Sequence, residues 1–435
     1  MITGGDSNMT DFIIPVEAPA LHELQAGQLD QMARRAIFAA MNKLNYGCMC
    51  ITENNQRNVF GEKDNASSLK ATLTIHHPRF YSRILFSGSI GAAEAYMEGL
   101  WSVDDLTTVM RIMALNQSVF TEMDKGLARL TSPLYRLYHF ARKNTKIGSR
   151  KNILAHYDLG NDFYKLFLDP TMTYSCGIFE NDQSTMEEAS LAKYNRICNK
   201  LQLKPGDRVM EIGTGWGGFA LYAVKHFDVH VTTTTISEEQ YGFAKALFRE
   251  KGIEDRISLL KTDYRDLKGQ FDKLVSIEMI EAVGHHYFDT FFKTCSQLLC
   301  DNGMMLLQAI TIRDQDFQRY IHSVDFINRY IFPGGCLTSV GSMLASLTRT
   351  TDMTLFHLED ISPHYARTLR QWRNRFFHNI EKVRALNFPE TFIRMWEYYL
   401  CYCEGGFSER YIGDVQMLLT KPLCRRESLL PPLAD

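Results

Sequence analysis

The sequence predicts an α/β protein built on a doubly wound, mostly parallel sheet with a small α+β unit ahead of it, and three observations carry that expectation. Asp207–Phe219, DRVMEIGTGWGGF, reads as a short buried strand, a turn crowded with Gly213, Gly215, Gly217 and Gly218, and the start of a helix. Beyond it, strand-like runs at Val229–Thr235, Ile257–Lys261, Lys273–Ile277 and Gly303–Thr311 alternate with helical patterns at Phe219–His226, Tyr241–Lys251 and His286–Cys295. Ahead of it, short apolar runs at Cys48–Thr52, Asn58–Phe60 and Ala71–Ile75 are separated by polar segments and suggest a second, smaller sheet.

The chain has 435 residues, enough for two or three domains, with 45% apolar and 23% charged residues, as in an ordinary globular protein. Its net charge of −2 gives no global field to draw it to nucleic acid. The ten cysteines lack paired metal spacing: Cys48/Cys50 and Cys401/Cys403 have no second pair and no histidines at zinc-finger distance, so no metal is expected. Free thiols in a reducing cytoplasm are the expectation. MITGGDSNMTDF has neither a basic start nor an apolar run, so it does not read as a signal peptide. No window approaches 18 uninterrupted apolar residues, so no membrane span is expected.

In chain order, residues 1–27 read as a loose leader and Asp30–Leu44 as a helix with Met32, Ala36, Ile37, Ala40 and Met41 on one face. His77–Leu85, Ile90–Gly99 and Val103–Leu115 follow as helices, the last with Ser102 or Asp104 as its cap. Lys125–Tyr157 contains no acidic residue but carries Lys125, Arg129, Arg136, Arg142, Lys143, Lys146, Arg150 and Lys151, with Leu127, Leu130, Leu134, Leu137 and Phe140 at helical spacing. Two readings stay open there: a basic amphipathic helix at a membrane surface, or an interdomain helix with solvated charges. Ala155–Glu180 is dense in aromatics, and Ser184–Leu201 is a helix capped by Ser184 or Thr185.

The glycine turn alone leaves two ligands open. Gly213-x-Gly215-x-x-Gly218 fits a dinucleotide fingerprint, and Glu211-x-Gly213-x-Gly215-x-Gly217 fits an S-adenosylmethionine (SAM) site. The following strand ends in Thr232–Thr235 rather than in the acid that would hold a nicotinamide cofactor's ribose. Thr214, Thr235, Asp263, Tyr264, Glu278, Glu281 and Gln308 fall at strand ends, where ligands of such sheets gather; an adenosyl ligand across the first three strands would meet the first four.

Longer motifs resolve the choice. HYDLGNDFY (156–164), MTYSCGIF (172–179), EIGTGWGGFA (211–220), TISEEQ (235–240), SIEMIEAVG (276–284), YIFPGGCL (330–337) and HYARTLRQW (364–372) strongly resemble the cyclopropane-fatty-acyl-phospholipid synthase family, of mycolic acid cyclopropane synthase-like SAM-dependent methyltransferases. The resemblance runs from about residue 150 to the end, and the N-terminal part is similar to the extension of the longer synthases.

That resemblance implies a site. Tyr174 and Ser175 would touch the methionine end of SAM, and Val209–Gly217, with Glu211, Gly213, Gly215 and Gly217, would cradle it. Thr235, Ile236 and Gln240 would meet its ribose region, and Tyr264 and Arg265 its adenine. Family members also hold bicarbonate, whose ligands here would be Cys176 through its backbone, Glu281, Gln308, Ile310 through its backbone and Tyr365. The implied catalytic set is Glu281, Tyr365, Cys403 and Cys176; a buried, small apolar role for Cys403 stays open beside it. The best-known branch has histidine where this chain has Gln308, which can donate to an anion but cannot take a proton.

The implied reaction transfers a methyl(ene) group from SAM to the cis double bond of an unsaturated phospholipid acyl chain and closes a cyclopropane, with bicarbonate as base. Such a site must be dry and tolerant of a carbocation, a role that aromatic faces serve. The sequence offers Phe163, Tyr164, Phe167, Tyr174, Phe179, Trp372, Phe376 and Phe377, many of them ordinary core. Methylation to a branched product, or a non-catalytic lipid-binding relative, are the alternatives.

The expected organisation is a small α+β domain at 1–122, a basic linker helix at 123–155 and a methyltransferase domain at 156–435. Within the last, an acyl-binding helical cap at about 313–410 includes helices Gln318–Tyr330, His364–Leu386 and Phe388–Tyr402. Strands Met353–Leu358 and Val415–Lys421 would complete a seven-stranded sheet with an antiparallel edge. A phospholipid substrate favours the membrane reading of the basic helix and a cytoplasmic, peripheral location at the inner face of the membrane. The long synthases are compatible with a homodimer.

Overall fold

A computed structural model of the chain describes residues 27–61, 69–124 and 159–429, without the side chains of 121–124. The basic segment at Lys125–Lys151 and the first residues of the HYDLGNDFY motif lie outside the described residues.

The N-terminal sheet has four strands: β1 (Cys48–Glu53), β2 (Gln56–Gly61), β3 (Lys70–Ile75) and β4 (Trp101–Val103), in the order β2-β1-β3-β4. β1 and β2 are an antiparallel hairpin turned at Asn54 and Asn55, whose φ values of 45° and 60° are those of a two-residue turn matched to strand twist. β3 runs parallel to β1 and antiparallel to β4. The periodicity does not announce β4, and residues expected to begin a helix at Val103 extend the sheet instead. The helix starts at Leu106, capped by Asp105, which accepts the Thr108 amide at 3.1 Å. Asp104 has another duty: its carboxylate accepts the Thr72 amide at 2.8 Å and holds the end of β4 to β3. The helices expected at His77–Leu85 and Ile90–Gly99 are two halves of one run, Arg79–Met97, broken at Gly88 (φ 56°, ψ −135°).

The larger sheet comprises β5 (Arg208–Ile212), β6 (His230–Thr234), β7 (Ile257–Leu260), β8 (Phe271–Ile277), β9 (Leu299–Ile312), β10 (Thr354–Asp360) and β11 (Ile412–Thr420), in the order β10-β11-β9-β8-β5-β6-β7. Strands β5 to β9 are parallel. β11 runs antiparallel to both β9 and β10, so the reversed strand lies one place in from the edge rather than at it. Central strands are buried on both faces: Leu274 and Val275, adjacent in β8, are fully buried in two separate clusters on opposite sides of the sheet. The order reverses between β5 and β8, which puts the crevice at the carboxyl ends of those strands.

A third cluster joins the N-terminal unit to the cap helices Ser362–His378 and Glu390–Ser408. Tyr96 packs on Tyr398 at 5.8 Å, and the buried Glu404 accepts from Arg370, Arg373 and the Thr107 hydroxyl. The long helix expected over His364–Leu386 is interrupted at Asn379, whose side-chain amide donates to the Leu166 carbonyl at 2.8 Å. The run expected at Gln318–Tyr330 is a short helix, Asp314–Tyr320, followed by a π turn at Ile327–Ile331; between them Asp325 accepts the Asn328 amide at 2.8 Å. Among the described residues no helix is long and apolar enough to cross a membrane.

Candidate active site

The glycine turn lies between the end of β5 and the helix Gly218–Phe227. Its backbone is tied to the neighbouring strand, the amides of Gly213 and Thr214 both donating to the Thr234 carbonyl. Gly213 has φ 105°, a conformation that strains any residue with a side chain, and a β-carbon there would also press on the Met279 side chain at 3.2 Å. The turn opens into a cavity of about 710 Å³.

Most of the expected cofactor contacts reach its wall. Tyr174, Ser175, Glu211, Gly213, Gly215, Thr235, Ile236, Gln240 and Tyr264 all line it. Thr235 donates its hydroxyl hydrogen to Gln240 at 2.9 Å, which fixes the amide's orientation. Ser175 accepts a hydrogen bond at 2.6 Å from Lys193, a fully buried lysine whose pKa is lowered by desolvation. Glu211 is buried with the Thr233 hydroxyl donating to it, and burial pushes its carboxyl up to about 8. Two expected contacts stand behind the wall. A β-carbon on Gly217 would meet Phe248, the opposite side of the turn, and Arg265 is turned onto Asp263, which it pairs with at 2.6 Å. Asp263 itself lines the cavity.

At the far side of the turn, Glu281, Ile310, Tyr365 and Cys403 share the same wall with Glu278. Glu281 accepts the Ile310 amide on one oxygen, while its other oxygen is buried and makes no hydrogen bond. Burial and the neighbouring Glu278 push the Glu281 carboxyl up to about 8. Cys176 and Gln308 are fully buried and do not line the cavity. Both act through Glu278: the Cys176 amide and the Gln308 side-chain amide donate to its Oε1 at 2.8 and 2.7 Å, and the Tyr365 hydroxyl donates to Oε2 at 2.5 Å. Gln308 is further occupied by Asp414, to which it donates at 3.0 Å, and by Gln416, from which it accepts at 3.0 Å. Burial, together with the carboxylates Glu278 and Glu281, raises Asp414 well above the ordinary range. The thiols of Cys176 and Cys403 are pushed up by burial, so both are held as neutral thiols.

Glu278 belongs to this site although in the sequence it stands out only as one of several strand-end polar residues. A conformational signal accompanies it: its φ of 48° lies in the left-handed region that side chains seldom enter. Cavity aromatics also differ from those expected. Of the eight, Tyr174 lines the wall; Phe163, Tyr164, Phe167, Phe179, Trp372 and Phe376 are buried core, and Phe377 is partly exposed. The cavity instead presents Tyr399, Tyr402, Phe332 and Phe407 from the cap, and Ile90, Met110, Met113 and Phe120 from the N-terminal helices. Those N-terminal residues supply apolar surface at helical spacing, which in the sequence is indistinguishable from core.

Residues 144–417 match the model of a family described as mycolic acid cyclopropane synthetase. The chain is 38% identical over 360 residues to the cyclopropane-fatty-acyl-phospholipid synthase of Escherichia coli, covering 81% of this chain and 89% of that protein. It is 36% identical over 358 residues to the tuberculostearic acid methyltransferase UfaA1 of Mycobacterium tuberculosis, covering 80% and 83%. Among solved structures, the mycolic acid cyclopropane synthase CmaA1 complexed with SAH and CTAB aligns with a TM-score of 0.59 at 33% identity, over 62% of this chain and 98% of that one. The cyclopropane synthase MmaA2 of Mycobacterium tuberculosis aligns with a TM-score of 0.58 at 32% identity, over 62% and 98%.

Proposed function

Because the chain belongs to the mycolic acid cyclopropane synthetase family and is a methyltransferase, we propose that it transfers a methyl(ene) group from SAM to the cis double bond of an unsaturated phospholipid acyl chain and closes a cyclopropane. The observation that supports this most directly is one cavity lined by both the glycine turn and an apolar, aromatic chamber, with Glu278, Glu281 and Tyr365 on its wall.

The turn fits SAM on its own geometry, since backbone rather than side chain faces the cavity at Gly213 and Gly215. Tyr174, Ser175, Thr235, Ile236, Gln240, Asp263 and Tyr264 would complete the holding surface. When bound, SAM supplies an electrophilic methyl carbon and departs as a neutral thioether. The protein's part is to exclude water, to hold the alkene against that carbon and to accept a proton. An isolated alkene is a weak nucleophile, so alignment matters most in the first step. The aromatic faces of Tyr174, Phe332, Tyr399 and Tyr402 suit the cation left on the acyl chain, which water would otherwise quench to an alcohol. Bicarbonate does not fit as the base, because the donors expected to hold it already bind Glu278 or Glu281.

Purified protein, unsaturated phospholipid vesicles and methyl-deuterated SAM test the proposal, with the fatty acids read by mass spectrometry and NMR. A cyclopropane methylene carrying two deuteriums supports ring closure. Three retained deuteriums support the second reading, methylation to a branched chain, which the likeness to the relative named tuberculostearic acid methyltransferase favours. Absence of transfer would overturn both readings of the acceptor, and only a loss of SAM binding as well would leave a non-catalytic lipid binder.

The same substrate makes the basic segment a bilayer-docking element at the inner face of the membrane. Replacing Arg142, Lys143, Lys146, Arg150 and Lys151 by Gln should weaken binding to anionic vesicles with SAM binding intact; unchanged vesicle affinity sinks the idea.

A further inference from the structure

The resemblance to the synthases calls for a small bound anion held by the Cys176 amide, Gln308, Tyr365, the Ile310 amide and Glu281. In the fold these groups already have acceptors within the chain. Glu278 receives Cys176, Gln308 and Tyr365 at 2.8, 2.7 and 2.5 Å, and Glu281 receives Ile310. A free bicarbonate in this donor set would have to displace one carboxylate and then stand beside it, with Glu281 and Asp414 as further acidic neighbours. Three donors converging on one carboxylate form an anion site that is already filled.

We infer that the Glu278 carboxylate is itself the anion of this site and takes the proton lost from the acyl chain, so that the enzyme works without bicarbonate. The inference rests on the methyl-transfer reading above. Glu278 lines the cavity and sits at the carboxyl end of β8, where its backbone amide donates to the Gln308 carbonyl at 2.9 Å. Its φ of 48° lies in the left-handed region, which is strained for a residue with a β-carbon. Such a conformation persists where the surroundings hold it, and the backbone bond with the three side-chain bonds does so here. Gln308 completes the arrangement. Its amide hydrogens serve Glu278 and Asp414 and its oxygen accepts from Gln416, so it positions the carboxylate and relays no proton.

The step balances within the site. After methyl transfer the acyl chain carries a cation, and Glu278 removes a proton from the carbon that arrived as methyl. The electron pair of that C–H bond becomes the last ring bond, and the carboxylic acid so formed later releases its proton to water. No oxidant or reductant is needed.

The test compares wild type, Glu278→Gly and Glu278→Gln in bicarbonate-free buffer and with bicarbonate added, using the vesicles and labelled SAM described above. Glycine suits the observed φ, and calorimetric binding of S-adenosylhomocysteine checks that each variant is folded. Wild type should turn over equally in both buffers. Glu278→Gly should lose about 10²-fold or more without bicarbonate, the range expected for a positioned base, and recover about tenfold when bicarbonate fills the vacated donors. Glu278→Gln should be slow in both. Carbon-13 NMR of labelled bicarbonate gives a readout independent of turnover: binding to Glu278→Gly and none to wild type. Bicarbonate binding to wild type, a wild-type rate that depends on bicarbonate, or full activity of Glu278→Gln would overturn the inference. If wild type transfers nothing to any lipid, the proposed function fails, while the carbon-13 titration still decides the place of Glu278.

Discussion

The Tyr365 hydroxyl donates to Glu278 across 2.5 Å, and that bond joins the cap helix Ser362–His378 to the end of β8. The two residues are 87 positions apart in sequence, and their meeting places the cap over the chemistry. Tyr365 also stacks on Phe407 at 4.3 Å, so its ring is packed independently of its hydroxyl. Tyr365→Phe should therefore fold normally and bind S-adenosylhomocysteine as wild type does. Its kcat should fall by about 10- to 100-fold, the equivalent of a hydrogen bond to a charged group of about 1.5–3 kcal/mol. Single-turnover kinetics with calorimetry checks this; a raised KM with unchanged kcat would contradict it.

Two buried acids predict how stability responds to pH. Burial raises both Glu211 and Glu281 from 4.5 to about 8. Between those values the folded protein holds the protons and the unfolded chain does not, so stability is fully present below about 4.5 and is lost as pH rises through about 8. The denaturant midpoint should be lower at pH 9 than at pH 6. Glu211→Gln should flatten that dependence, because a neutral amide has no proton to lose; an equally steep dependence in the variant would refute the assignment.

The glycines of the cofactor turn and its neighbouring helix should respond oppositely to alanine. Gly213→Ala faces φ 105° and Met279 at 3.2 Å, and should lose about 1–3 kcal/mol of stability together with most affinity for S-adenosylhomocysteine. Gly242 lies inside the helix Glu238–Glu250 with nothing within 4 Å of an added β-carbon. Gly242→Ala should stabilise by about 0.5–1 kcal/mol and leave binding unchanged. Thermal unfolding and calorimetry separate the two cases.

Cysteine chemistry gives the remaining prediction. Cys403 lines the cavity but its thiol is pushed up by burial, and Cys176 contributes its backbone amide rather than its sulfur. Cys403→Ala and Cys176→Ala should each keep turnover within about threefold of wild type. A loss of about 10²-fold or more in Cys403→Ala, with cofactor binding intact, would restore a catalytic thiol.

Local regularities were legible in the chain. Strand and helix periods marked the larger sheet to within a few residues, because each central strand is buried on both faces and each helix on one. Caps were less legible where two acidic residues competed: Asp104 and Asp105 are chemically alike, and only the approach of β3 assigns the first to the Thr72 amide and the second to the helix. The interruption at Asn379 answers to the Leu166 carbonyl, a partner more than 200 residues away.

By itself the sequence determined the α/β alternation, the glycine turn and a set of residues similar to those of the synthases, since these depend on short-range pattern and on motifs that survive as strings. Only the tertiary structure decided which side chains those residues meet. It moved Cys176 and Gln308 behind the wall, brought Ile90, Met110, Met113 and Phe120 from the N-terminal unit onto it, and gathered three donors on Glu278. Hydrogen bonding is directional and buried donors must find acceptors, so the partner of each is settled by where distant strands and helices end.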